Sequence, residues 1–165
     1  MLSIVRDIRS LIIFCGIVGY GFIFGQEPSK TVEKAQMELQ EMTPNMMVTD
    51  VNKTVDFYEK VLGFKLVNSV PEKGSFDWAY VKRDNVGLMF QQKNNIIEEY
   101  PSLKGRDVGG ALTFFIEMVG VHDFYIKIKE KVTIVRDLQP KPYTSAEFAI
   151  QDCNGYILTF AESDD

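Results

Sequence analysis

One pattern occurs twice along this chain, and that duplication limits what it can fold into. Val55-Asp56-Phe57-Tyr58-Glu59-Lys60 returns roughly 70 residues later as His122-Asp123-Phe124-Tyr125-Ile126-Lys127. Ser75-Phe76-Asp77-Trp78-Ala79 returns as Ser145-Ala146-Glu147-Phe148-Ala149, and Leu88-Met89-Phe90 as Leu158-Thr159-Phe160, in the same order. Two copies of one unit pair about a pseudo-twofold axis, and such a pair leaves a crevice in which a ligand sits.

The 165 residues suit one domain, or two small modules sharing a core, and a hydrophobic content of 45% supplies that core. A net charge of -5 and the lack of any basic run argue against a nucleic-acid partner. Residues 1–26 stand apart. Arg6 and Arg9 precede an apolar stretch, Leu11 to Phe24. It is short for a membrane span and about right for the apolar core of an export signal, with Gly25 before the cleavage point. An uncleaved N-terminal anchor is the alternative, so the expected location is exported or membrane-anchored, with membrane contact only through this segment. Removal of the segment leaves Cys153 as the sole thiol, which forms neither a disulfide within the chain nor a zinc site. Residues 27–42 are polar and read as a linker; the domain spans 43–165, with repeats over about 43–93 and 110–162.

Met46-Met47-Val48 reads as a strand, and Asp50 caps a helix whose apolar face is Val51, Val55, Tyr58 and Leu62, ended by Gly63. Phe64 to Val70 is a second strand. Phe76 to Val81 and Val86 to Gln91 form a hairpin around Asp84-Asn85. After a polar connector, Asn94 to Val108, the order repeats. Ala111 to Met118 is a strand, and Val121, Phe124, Tyr125 and Ile128 mark a helix. Val132 to Val135 is a strand, interrupted afterwards by Pro140 and Pro142. Ala146 to Gln151 and Tyr156 to Ala161 form a hairpin with Asn154-Gly155 at its tip, the pair that type I′ turns prefer. The fold class is α+β: two βαβββ modules.

Val48-Thr49-Asp50-Val51, Thr54, Phe57-Tyr58 and Leu62-Gly63-Phe64 form one recognisable string, and Phe148 to Tyr156 another. Together they resemble the vicinal oxygen chelate superfamily, which holds glyoxalases, extradiol dioxygenases, fosfomycin-resistance enzymes and bleomycin-resistance proteins. The likeness covers about Thr43 to Glu162; Cys153 stands where the family's second string usually has Pro. The resemblance implies a mixed sheet curled around one cavity between the modules. Metal-using members place His or Glu at four cavity-facing positions, which fall here on Thr43, Met89, Thr113 and Thr159. None of these supplies an imidazole or carboxylate, so no metal and no other cofactor is expected. His122 falls on the flank of the second helix. The resemblance thus points to the bleomycin-resistance-like branch, whose members bind a ligand without chemistry. The alternative is a metal-dependent enzyme, glyoxalase-like or dioxygenase-like, with non-standard ligands; a third reading is a degenerate copy kept as an interaction module. Members often complete their cavities by pairing, so a homodimer is expected.

No other catalytic set stands out. Cys153 has no histidine near it in sequence and reads as a turn residue. Asp77 and Glu147 share a place in the repeat alignment; facing the cavity they could hold a cation or act as acid and base, but solvated strand residues are the expected reading. Glu117 shares strand parity with Thr113 and Phe115, though a structural role as cap or first-turn acid of the second helix is the expected one. At least one of Phe114 and Phe115 faces away from the helices. The cavity candidates are Met47, Trp78, Met89, Thr113, Phe115, Glu117, Tyr143 and Thr159. Met, Thr and aromatic groups suit a small organic ligand, flat, aromatic or cationic.

Overall fold

The computed structural model describes residues 38–163, so the export or anchor segment and most of the linker lie outside the described residues. Residues from Gln40 onward form one unit. Its first module starts with strand β1 (Asn45–Val48) and helix α1 (Val51–Lys60). The Asp50 carboxylate accepts from the Lys53 N–H at 3.0 Å, satisfying a donor that the first turn of a helix leaves free. Val51, Val55 and Tyr58 form the buried face of α1. At its end Gly63 takes φ 79°, and the Phe64 N–H returns to the Tyr58 carbonyl at 3.0 Å. Strands β2 (Lys65–Val70), β3 (Trp78–Arg83) and β4 (Val86–Gln92) complete a sheet in the order β1-β4-β3-β2, with β1 and β4 parallel.

The second module repeats this. Strand β5 (Thr113–Met118) leads to helix α3 (Val121–Ile128), then β6 (Thr133–Lys141), β7 (Thr144–Gln151) and β8 (Ile157–Glu162), in the order β5-β8-β7-β6. Gly120 starts α3 and has no side chain to cap it. Glu162, on the neighbouring strand, does so instead, accepting from the Gly120 and Val121 N–H groups at 2.7 and 2.8 Å.

Three expectations are corrected. The connector contains a helix, α2 (Lys93–Glu99), capped by the Gln92 side chain, and a short 3-10 turn, Pro101–Leu103. Strand β6 continues through Pro140, which has no N–H to donate; an edge strand tolerates this because one of its sides has no ladder partner. In the β7–β8 turn only Gly155 has positive φ, so the turn is not type I′; Asp152 holds it instead, accepting from the Asn154 and Tyr156 N–H groups at 2.8 Å each.

One hydrophobic core serves both modules. It joins Val48, Val55, Tyr58, Val81 and Phe90 of the first to Phe124, Phe148, Ile150, Leu158 and Phe160 of the second. Polar contacts fasten the joint. The Tyr58 hydroxyl donates to Asp152 at 2.9 Å, the Tyr156 hydroxyl donates to the Met47 carbonyl at 2.9 Å, and Arg83 lies 4.8 Å above the Phe124 ring. The two sequence strings that carry the family likeness therefore touch each other: one supplies Tyr58, the other Asp152 and Tyr156.

Candidate functional site

Each sheet turns one face to this core and the other, here called its open face, away from it; on the second sheet the small residues of that face lie under their longer neighbours, with Ala149, Thr159 and Ala161 each 9% exposed or less. On the first open face the register brings together Asn45, Met89 and Tyr80 in one row and Met47, Gln91 and Trp78 in the next. On the second it aligns Phe115, Thr159, Ala149 and Arg136, and beside them Glu117, Ala161, Glu147 and Gln139. The eight cavity candidates thus divide. Met47, Trp78 and Met89 sit on the first open face. Thr113, Phe115, Glu117 and Thr159 sit on the second, and Tyr143 lies in its β6–β7 turn. Among the described residues no hydrogen bond joins the two sets. Phe114 packs edge-on against Tyr156, and Phe115 points outward, 55% exposed.

The strand register corrects the pairing of the repeats. Leu88-Met89-Phe90 does match Leu158-Thr159-Phe160, and Thr43 and Thr113 occupy matching places. Across the hairpins, however, Phe90 pairs with Ala79 while Phe160 pairs with Phe148. Ala79 is therefore the counterpart of Phe148, and Trp78, not Asp77, is the counterpart of Glu147. A slip of one residue moves a strand's side chains to the opposite face. Asp77 lies before β3 and is exposed, as expected of a solvated residue. Glu147 is not solvated: it is completely buried, on the open-face side of β7.

The buried Glu147 carboxylate is paired with Arg136 through Oε1. Its Oε2 and the Arg136 Nε are buried without a hydrogen-bond partner among the described residues. Arg136 reaches it because of an irregularity in β6. Ile134 pairs with Ile150 on the core side, but the register shifts after it, and Arg136 pairs with Ala149 on the open side. A bulge of this kind re-aims the following side chain. Sequence alternation would have kept Arg136 with Ile134, so the pair was not legible in the sequence. Tyr143 lies beside the same carboxylate, whose pull on the phenol proton and negative charge hold the phenol pKa above its ordinary value.

The two open faces differ in filling. The first carries Trp78, Tyr80 and Met89, and Tyr80 lies flat over Gly87, where a Cβ would come within 2.6 Å of its hydroxyl. Helix α2 closes one end: Gln91 donates to Glu99 at 3.0 Å and accepts from Asn45 at 2.6 Å. The second face has a floor of Ala149, Thr159 and Ala161, with Phe115 and the 61%-exposed Tyr143 standing above it. A hollow of about 550 Å³ adjoins it along the β4–β5 seam, lined by Met42, Val86, Leu88, Leu112, Thr113 and Phe115. A second, of about 440 Å³, includes Arg83, Ile116, Glu117 and Phe160.

The donor set does not fit a metal ion. The four positions carry two threonine hydroxyls on the second face, one more at Thr43, and the Met89 thioether; among the described residues no three His, Cys, Asp or Glu side chains converge. His122 is exposed on α3. Cys153 lies exposed in the β7–β8 turn, where partial desolvation, with the Asp152 charge adding to it, pushes its thiol up to about 11 and disfavours the thiolate. Glu117 is exposed and caps nothing; Glu162 performs the role considered for it.

The sequence profile of the Glyoxalase/Bleomycin resistance protein/Dioxygenase superfamily matches residues 39–160. The chain belongs to this superfamily. Solved structures of the superfamily fold agree with it. A protein of unknown function from Agrobacterium tumefaciens str. C58 is 16% identical with a TM-score of 0.64, the likeness covering 78% of this chain and 98% of that one. A bleomycin-binding protein from bleomycin-producing Streptomyces verticillus, complexed with copper(II)-bleomycin, is 18% identical with a TM-score of 0.55, over 78% and 100% of the chains. TnmS3, an antibiotic binding protein from Streptomyces sp. CB03234, is 17% identical with a TM-score of 0.61, over 78% and 100%. No curated protein sequence matches this chain.

Proposed function

We propose that this superfamily member binds a small organic ligand on the open face of its second module without a metal ion and without turnover. The observation that carries this reading is the floor of small residues beneath exposed aromatic groups: Ala149, Thr159 and Ala161 below Phe115 and Tyr143. Such a surface offers a flat body stacking contacts and a few polar anchors. Thr113 and Thr159 stand where a metal enzyme of this fold would need charged or imidazole ligands, so the face can hold a molecule but lacks a Lewis acid. The neighbours whose names state bleomycin or antibiotic binding support the reading of a small-molecule ligand. A second copy of the chain would cover Phe115 and Tyr143 and complete the cavity, so the working form is a homodimer. The apolar stretch over 11–24 in the sequence supports a location outside the cytoplasm, by export or anchoring; the mass of the mature protein from its native host tests this.

The test of function is thermal unfolding of chelator-treated protein against a library of flat aromatic and amphipathic compounds. The expected result is a concentration-dependent rise of several degrees for a subset, roughly the effect of ligand near 100 times its Kd. Phe115→Ala should weaken it about ten-fold while changing stability by about 0.5 kcal/mol or less. Stabilisation that appears only on adding a divalent metal would overturn the reading.

A further inference from the structure

We propose that Glu147 is the recognition carboxylate of the second open face, that its ligand carries a cationic planar nitrogen group on an aromatic body, and that the Arg136 guanidinium occupies that group's place in the free protein. This deepens the site described above and rests on it. Five observations converge. Glu147 is completely buried yet lies on the open side of β7, away from the core that its neighbour Phe148 enters. A buried carboxylate needs an opposite charge, and removing the partner of such a pair is costly. Arg136 supplies that charge incompletely, since its Nε and the Glu147 Oε2 remain unpartnered.

Arg136 is also loosely held. It sits on edge strand β6 with the register irregular on both sides of it, and its side chain is 38% exposed. Turned outward, that side chain would vacate its contact with Glu147 Oε1. The row containing Glu147 ends at the exposed Glu117, which adds a second negative charge to this face. Finally, exposed Tyr143 and Phe115 offer aromatic faces, which bind cations and flat rings alike. Two strand spacings and two residues separate Glu147 from Phe115, about 12 Å, enough for a body of two fused rings with the charged group at one end.

Naphthalene-2-carboxamidine is the probe, and naphthalene-2-carboxamide its uncharged counterpart of the same shape. Calorimetric titration of wild type should give at least ten-fold tighter binding of the amidine. Glu147→Gln should erase that preference. Arg136→Ala should bind the amidine several-fold more tightly than wild type, and the amidine should raise its melting temperature more than it raises that of wild type. A purely structural ion pair gives no such rescue. The double variant Arg136→Met with Glu147→Gln removes both charges, keeps the fold if either single variant fails, and should bind the two compounds equally. Equal binding of both compounds to wild type, or no rescue of Arg136→Ala, overturns the inference but leaves metal-free ligand binding standing. If neither compound binds, this inference also falls, while the library screen judges the broader reading on its own result.

Discussion

The two modules share a backbone plan and use it in opposite ways. At matching positions the first sheet carries Trp78, Tyr80, Met89 and Gln91, and the second carries Glu147, Ala149, Thr159 and Ala161. The first open face is filled by its own side chains and closed at one end by α2. The second has a small-residue floor and a single buried charge. Duplication supplied two equivalent surfaces, and the volumes of the side chains on them set the two apart. The turns differ likewise. Asp84 sits at an exposed hairpin tip with φ 51°, whereas Asp152 accepts three hydrogen bonds and fastens one module to the other.

The largest effect expected from this asymmetry is at the joint. Asp152→Ala strands the Tyr58 hydroxyl and two backbone donors, and should cost about 3 kcal/mol in urea unfolding. A change below about 1 kcal/mol would mean the turn is not a fastening. Next, Ala149→Tyr copies Tyr80 into the second face. It should fill the trough and weaken any ligand found by thermal shift about 100-fold, roughly 2.7 kcal/mol; undiminished binding would place the ligand elsewhere.

The pH dependence of stability separates Asp152 from Glu162. Burial raises the Asp152 pKa above its ordinary 3.8, against the pull of its backbone donors. The folded protein then keeps this proton to higher pH than the unfolded chain. Its contribution is fully present below 3.8 and is lost as pH rises through the raised value. Glu162 behaves oppositely. The Gly120 and Val121 N–H groups lower its pKa below 4.5, so its contribution is present above 4.5 and is lost as pH falls through the folded value. Urea midpoints across the acid range should flatten on the rising side in Asp152→Asn and on the acid side in Glu162→Gln. The smallest effect belongs to Asp84→Gly. That site already has left-handed backbone, so the change should stay within about 0.5 kcal/mol, of either sign.

Much of the architecture was legible because it rests on periodicity and punctuation. The α1 stripe of Val51, Val55 and Tyr58, its Asp50 cap and Gly63 stop, and the β4–β8 match are patterns that burial imposes directly on sequence. Helix α2 escaped because Lys93 to Glu99 is mostly polar; Gln92 as a cap and buried Ile96 were its only signals. The site was less legible. Aligning Asp77 with Glu147 required the third strands to be in step, and they differ by one residue. Arg136 was hidden by a bulge that no alternation rule foresees. The residues that made the family recognisable, Tyr58 and Asp152 among them, turn out to join the modules; recognising them located the fold and said little about chemistry.

The central claim is that this fold holds its ligand without a metal ion. Elemental analysis of the protein, purified without chelator from metal-replete cells and then dialysed, tests it most directly. The expected content of zinc, nickel, manganese and iron is far below one atom per chain. One equivalent of any of them surviving dialysis, and lost together with ligand-induced stabilisation on chelation, would contradict it.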